Sequence, residues 1–132
     1  MIATSTTIAR EEVRIIDHQH DILHRTIRLI DEAFLKKQDK ARFSLLISEL
    51  YKFVDFHFTS EENLMLFTGY PYYDQHKREH AELMRELADF ICAFNADLID
   101  YHELADYLNN RFRDHSELPD RQLKAFLVTM MK

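Results

Sequence analysis

A histidine and a glutamate, His57 and Glu61, lie one turn apart on the apolar face of a predicted helix. Because each residue of an α-helix advances by about 100°, residues within roughly 60° of His57 share its face. The other members of that face are apolar: Phe43, Leu46, Leu50, Phe53, Val54 and Leu64. An unpaired buried charge is costly, whereas a metal ion can bind both an imidazole and a carboxylate. The pair therefore predicts metal ligands, and Glu62, about 140° from His57 by the same count, is predicted to face solvent.

The same pattern recurs along the chain. Four more histidines fall on apolar stripes, and a second carboxylate follows the last of them by five residues: His20, His76, His80, His115 and Asp120. A single histidine in such a place is most simply a core residue held by a hydrogen bond, but five from four helices are not explained that way. Seven donors exceed the need of one tetrahedral zinc ion. They fit two ions that share the carboxylates, with iron favoured and manganese or zinc as alternatives.

The elements that must position these donors are predicted to be helices. Apolar periodicity predicts four helices and a short fifth one, near residues 10–37, 39–67, 71–95 and 97–115 and after Pro119. Asp39 and Asp97 are the predicted N-caps of the second and fourth helices, and Gly69 the predicted end of the second. The predicted fold is all-α, an up-down-up-down antiparallel four-helix bundle in one domain, with residues 1–9 as a flexible arm.

Composition narrows the function classes. The 132 residues include one glycine, two prolines and no tryptophan, which suits long helices. The net charge of −6 arises from interspersed acids and bases, so neither nucleic acid nor an anionic membrane is an expected partner. No apolar run is long enough for a membrane span. With Cys92 alone no internal disulfide forms, and we expect a cytoplasmic monomer.

The order of these residues resembles the bacteriohemerythrins. Four motifs carry the resemblance: Asp17-x-Gln19-His20, His57-x3-Glu61-Glu62, Gly69-Tyr70-Pro71-x4-His76-x3-His80 and His115-x4-Asp120. They span nearly the whole chain, and all seven ligand positions of that family are filled at its spacing.

The resemblance implies a non-haem di-iron centre. Glu61 and Asp120 would bridge two iron ions together with a solvent-derived oxo or hydroxo group. The other ligands would be histidines. His76, His80 and His115 would bind one iron, and His20 and His57 would bind the other. In this family, the iron with two histidines keeps an open position that binds dioxygen. A ligand set with five imidazoles and two carboxylates also favours binding over oxidation, because the di-iron oxidases of helical bundles use more carboxylates.

Five residues are predicted to surround that open position: Leu23, His24, Arg111, Phe112 and Ser116. Where the family commonly has Trp, Leu and Ile in the fourth helix, this chain has Arg111, Phe112 and Ser116, and His24 replaces an apolar residue in the first. A polar pocket would release bound oxygen as peroxide more readily. The alternative is that Arg111 extends into solvent and that His24 pairs with a neighbouring aspartate.

Three function classes follow. We expect a protein that binds dioxygen reversibly, as a carrier, store or delivery agent, and that is not an enzyme. The first alternative is a redox enzyme that uses the same centre on peroxide or nitric oxide, which the polar pocket favours. The second is a sensor of oxygen or iron, a class that usually carries an output domain. We expect no such domain within these 132 residues.

Overall fold

The structure is a computed structural model that describes the backbone of residues 5–130 and the side chains of residues 10–114 and 118–130. Its helices are α1 (Ser5–Leu35), α2 (Lys40–Thr68), α3 (Tyr73–Asn95), α4 (Tyr101–Asp106) and α5 (Arg113–Met130). A π-helical segment, Tyr107–Phe112, joins α4 to α5 without a loop. No strand occurs within residues 5–130.

The helices pack as a bundle. Helix α1 lies against α2 and α5, while α3 lies against α2, α4 and α5. The connections from α1 to α2, from α2 to α3 and from α3 to α4 are short, so consecutive helices run antiparallel. The predicted all-α bundle with a C-terminal helix is confirmed.

The ends of α2 follow from local chemistry. The carboxylate of Asp39 accepts a hydrogen bond from the backbone N–H of Arg42 at 2.8 Å, as an N-cap does. Gly69 ends the helix in the left-handed region, with a φ of 70°. Both predictions are confirmed.

Three other predicted boundaries differ. The N-cap of α4 is Asp100, which accepts a hydrogen bond from the backbone N–H of Glu103 at 3.0 Å. Asp97 lies in the loop before α4 and forms an ion pair with Lys40, the first residue of α2. Helix α5 begins at Arg113 and continues through Pro119, which costs one backbone hydrogen bond but does not end the helix. The backbone is helical from Ser5 onward, inside the predicted N-terminal arm; residues 1–4 of that arm lie outside the described part of the chain.

The π-helical segment sets the direction of α5. A uniform α-helical count from Tyr101 places Asp120 about 100° away from the face that Leu104 shares with Tyr101. A π segment accommodates an extra residue in wider turns, so the following helix rotates back toward the original face. Asp120 is accordingly buried, with 9% of its surface exposed, as are Leu104 and Phe112.

Two apolar clusters lie along the bundle, with the candidate donors between them. The larger contains Leu23, Phe58 and Phe112, and the smaller contains Ile16, Leu64 and Leu123. Helices α1 and α2 therefore each pass from one cluster to the other through a short polar layer, and the π segment and α5 together do the same. None of the helices, within the described residues, is both long and apolar enough to cross a bilayer.

We predict that the π segment tolerates loss of its extra residue. Deleting the exposed Asn110 should convert the segment to α-helix and leave Asp120 on the inner face, so the metal binding predicted from the sequence should be retained. Deleting the exposed Leu118, which lies in regular helix, should turn Asp120 by about 100° and abolish binding of a second ion. Elemental analysis and circular dichroism of both variants check this; equal metal content in the two would contradict it.

Candidate metal centre

The structure brings together all six predicted donors whose side chains it describes: His20 on α1, His57 and Glu61 on α2, His76 and His80 on α3, and Asp120 on α5. The side chain of His115 lies outside the described residues. The six form two overlapping groups, His20, His57, Glu61 and Asp120, and Glu61, His76, His80 and Asp120. Within each group, one nitrogen or oxygen atom from every residue lies within 4.8 Å of the others.

The two carboxylates occupy the shared position. Glu61 Oε1 is 2.8 Å from His57 Nε2, and its Oε2 is 4.0 Å from His76 Nε2. Asp120 Oδ2 is 2.7 Å from His20 Nε2, while its Oδ1 is 3.4 Å from His76 Nε2. Each carboxylate thus faces histidines of both groups, which is the arrangement that bridging ligands of two ions require.

Most of these atoms have no hydrogen-bond partner. The unsatisfied buried atoms within the described part of the chain all belong to this cluster: His57 Nε2, His76 Nε2, His80 Nε2, Glu61 Oε1, Glu61 Oε2 and Asp120 Oδ1. Buried polar atoms left without partners cost about 1–3 kcal/mol each. Because all of them are metal-binding atoms that converge on one space, the cluster fits a metal centre.

Burial governs the ionisation of the cluster in the absence of metal. Burial, followed by the neighbouring Asp120 carboxylate, raises the pKa of Glu61 well above its usual value. Burial alone would also raise the pKa of Asp120, but the hydrogen-bonded His20 and the neighbouring His76 outweigh it and hold that pKa below its usual range. Burial lowers the pKa of His57 to about 3, with the nearby His20 adding to the effect. A cation would favour the forms that bind metal, with neutral imidazoles and ionised carboxylates.

The side-chain amide of Gln19 orients His57 by accepting a hydrogen bond from the ring nitrogen that faces away from the centre. His57 Nδ1 lies 2.7 Å from Gln19 Oε1, and since an amide oxygen can only accept, the ring nitrogen is the donor. Gln19 Nε2 in turn donates to Ser60 Oγ at 3.3 Å, which fixes the direction of the amide. With the proton on Nδ1, His57 presents a bare Nε2 to the centre.

A carboxylate holds His80 in the same way, and this corrects the prediction that Glu62 faces solvent. Glu62 Oε2 lies 3.0 Å from His80 Nδ1, and the Glu62 side chain is 21% exposed. Helical periodicity gave its angle from His57 but not which neighbouring helix lies on that side, and that helix is α3. Phe58 also stacks on the His80 ring, with centroids 3.9 Å apart.

A cavity of about 220 Å³ adjoins the centre between α1 and α5. Among the candidate donors it is lined by His20, Glu61 and Asp120, but not by His57, His76 or His80. Its other walls are largely apolar, with charged residues among them: Val13, Ile16, Asp17, Leu23, His24, Ile27, Phe112, Arg113, Arg121, Leu123, Lys124 and Leu127.

Only some of the residues predicted to surround the open position line this cavity. Leu23, His24 and Phe112 line the cavity, whereas the side chain of Ser116 lies outside the described residues. Arg111 does not line it, in agreement with the alternative that it extends into solvent, because it is half exposed and forms an ion pair with Glu86 of α3. Arg113 lines the cavity instead, since the π segment changes the direction of the residues that follow it.

We predict opposite effects of a Glu61→Leu substitution on metal binding and on the metal-free fold. Removing a carboxylate shared by both groups should abolish binding of two ions. The metal-free variant should nevertheless gain about 1–3 kcal/mol in free energy of unfolding, because an unsatisfied buried carboxylate is replaced by an apolar side chain. Urea denaturation of the metal-free proteins measures the gain, with Glu49→Leu, exposed on the same helix, as the control. A destabilised metal-free variant would contradict the prediction.

Comparison with known proteins assigns the family. The sequence model described as the Hemerythrin HHE cation binding domain matches residues 11–127. The chain is 29% identical over 121 residues to the Bacteriohemerythrin of Stenotrophomonas maltophilia, an alignment that covers 87% of this chain and 77% of that protein. It is 28% identical over 118 residues to the Bacteriohemerythrin of Clostridium acetobutylicum, covering 81% and 87%, respectively. The corresponding protein of Pseudomonas paraeruginosa is 31% identical over 84 residues, covering 64% and 54%. No solved structure matches at the same level of significance.

These matches confirm the resemblance found in the sequence motifs, and they agree with a cluster of unsatisfied imidazoles and carboxylates inside a helical bundle. The chain belongs to the hemerythrin HHE cation-binding domain family.

Proposed function

We propose that this protein holds two iron ions and binds dioxygen reversibly at one of them. His20 and His57 would bind one ion, and His76, His80 and His115 the other, with Glu61 and Asp120 bridging. When bound, the iron pair would supply an open position that takes up and releases dioxygen. The two overlapping groups of donors and the names of the relatives support this proposal.

The position of the cavity is the observation that carries the proposal. It reaches the centre at His20 and at the two carboxylates, whereas the described histidines of α3 do not line it. A small ligand in the cavity would therefore meet the ion that has only two histidines. Leu23 and Phe112 give that part of the cavity apolar walls, which accommodate a small neutral molecule and limit access of water.

The direct experiment is to purify the full chain in air, measure iron per chain and follow its optical spectrum through reduction and re-aeration. We expect two iron ions per chain and a spectrum that changes reversibly with dioxygen. A protein that binds two iron ions but never takes up dioxygen would overturn the proposed function while leaving the metal centre intact.

A second candidate is a redox enzyme that acts on peroxide or nitric oxide. One observation favours it: His24 lines the cavity, where it would serve as a proton donor or acceptor for a bound ligand. Consumption of peroxide by the iron-loaded protein, at a rate that depends on His24, would favour this candidate over reversible binding.

We predict that His24→Leu prolongs reversible dioxygen binding. Removing a proton donor from the cavity wall should slow the loss of dioxygen as peroxide, so more of the protein should remain competent after repeated cycles. The measurement is the fraction of the optical change retained per cycle. The matched control is His18→Leu, an exposed histidine on the same helix. If wild-type protein never binds dioxygen and His24→Leu does, His24 instead blocks the open position; an unchanged lifetime would assign His24 a structural role.

A further inference from the structure

Two of the candidate ligands, His57 and His80, are hydrogen-bonded through the ring nitrogen that faces away from the centre, and their partners are chemically different. The Nδ1 atom of His57 faces the neutral amide oxygen of Gln19, whereas that of His80 faces the carboxylate of Glu62. The distances, 2.7 and 3.0 Å, are those of hydrogen bonds in both cases. The two histidines belong to different donor groups, so the difference separates the two metal positions.

The amide behind His57 is fixed and neutral. Gln19 is 6% exposed, and its Nε2 donates to Ser60 Oγ, which itself donates to the carbonyl of Phe56 at 3.1 Å. This chain of hydrogen bonds holds the amide oxygen toward His57. It selects the tautomer that leaves Nε2 bare, but it adds no charge to the ring.

The carboxylate behind His80 does more than select a tautomer. An acceptor with negative charge draws the Nδ1 proton and makes the opposite ring nitrogen a stronger donor to a metal ion. The ring plane is fixed as well, because Phe58 stacks on His80 within 4° of parallel. Glu62 keeps part of its surface in water, so its charge costs less than one at the fully buried Glu61.

We propose that Gln19 and Glu62 are positioning residues that make the two metal positions unequal. Glu62 makes His80 a stronger ligand of its ion. Gln19 adds no charge and leaves His57 a weaker ligand of the ion nearer the cavity. This inference rests on the proposed two-ion centre and adds to it the residues that set how firmly each position retains its metal. The bridging carboxylates are common to both positions and do not cancel the difference.

The test exchanges the two acceptors while keeping their shapes. Glu62→Gln keeps one oxygen acceptor, replaces the other by an amide NH2 and removes the charge, and Gln19→Glu adds a charge next to His57. The full chain is loaded with cobalt(II) and challenged with excess EDTA, and the loss of the cobalt absorption bands gives the release rate of each ion. The matched control is Glu49→Gln, which removes an exposed charge from the same helix as Glu62.

In Glu62→Gln we expect the more slowly released ion to leave about 10–100 times faster, with a much smaller change for the other. In Gln19→Glu the more rapidly released ion should leave more slowly. Proton NMR of the cobalt-loaded protein gives a second readout. The shifted Nδ1–H resonance of His80 should move in Glu62→Gln and that of His57 in Gln19→Glu, which a general loss of packing would not produce.

The outcomes separate this inference from the proposed function. Wild-type protein that retains fewer than two cobalt ions would overturn the two-ion centre and this inference with it. Two ions in wild type, with release rates that change equally or not at all in Glu62→Gln, would overturn the inference alone. Since Glu62 is partly exposed, this variant decides the question even if Gln19→Glu does not fold.

Discussion

The fold is organised around buried donor atoms that the protein itself does not satisfy. Glu61 is fully buried and all three described histidines of α2 and α3 in the cluster are nearly so. In water-free surroundings such groups cost free energy unless each finds a partner. Metal ions bound there would supply partners to all of them at once, so metal binding and folding should be coupled. The apolar clusters on either side supply the stability that keeps the donors assembled.

The hydrogen bonds that orient the donors run between helices. Gln19 of α1 orients His57 of α2, and Glu62 of α2 orients His80 of α3. His20 of α1 then meets Asp120 of α5 at 2.7 Å. In two cases, the orienting residue is the sequence neighbour of a candidate ligand that points elsewhere. One helical turn therefore both supplies a donor and fixes the donor of the next helix, which makes the geometry of the centre sensitive to the register of neighbouring helices.

Periodicity was sufficient to predict the helical bundle and the inward direction of five of the six described donors, because inward direction on a regular helix depends only on spacing. Asp120 is the exception: a uniform count turns it about 100° from the inner face, and its position five residues after His115 in the family motif is what indicated it. Periodicity failed where the angle alone does not decide. Glu62 lies on the flank of α2 that faces α3, which a single helix cannot reveal. Arg113 lines the cavity although the sequence did not single it out, because the π segment departs from about 100° per residue. Asp97 and Asp100 are both competent caps, and the loop that precedes α4 selects the second.

The cavity lies next to the metal position whose histidine has the uncharged hydrogen-bond partner, and this bears on which ligands can bind there. The cavity meets the centre beside His20. His20 shares its donor group with His57, which is hydrogen-bonded to a neutral amide, whereas His80 of the other group is hydrogen-bonded to Glu62 and does not line the cavity. An ion held by fewer and weaker donors has more capacity for an additional ligand, while the opposite ion can remain fully coordinated. The apolar side chains of Leu23 and Phe112 then favour a small neutral ligand, and the neighbouring His24 and Arg113 bring polar atoms close to the same space. Under the proposed function, the balance between reversible binding and further reaction would therefore depend on this chain's cavity wall as well as on the donors.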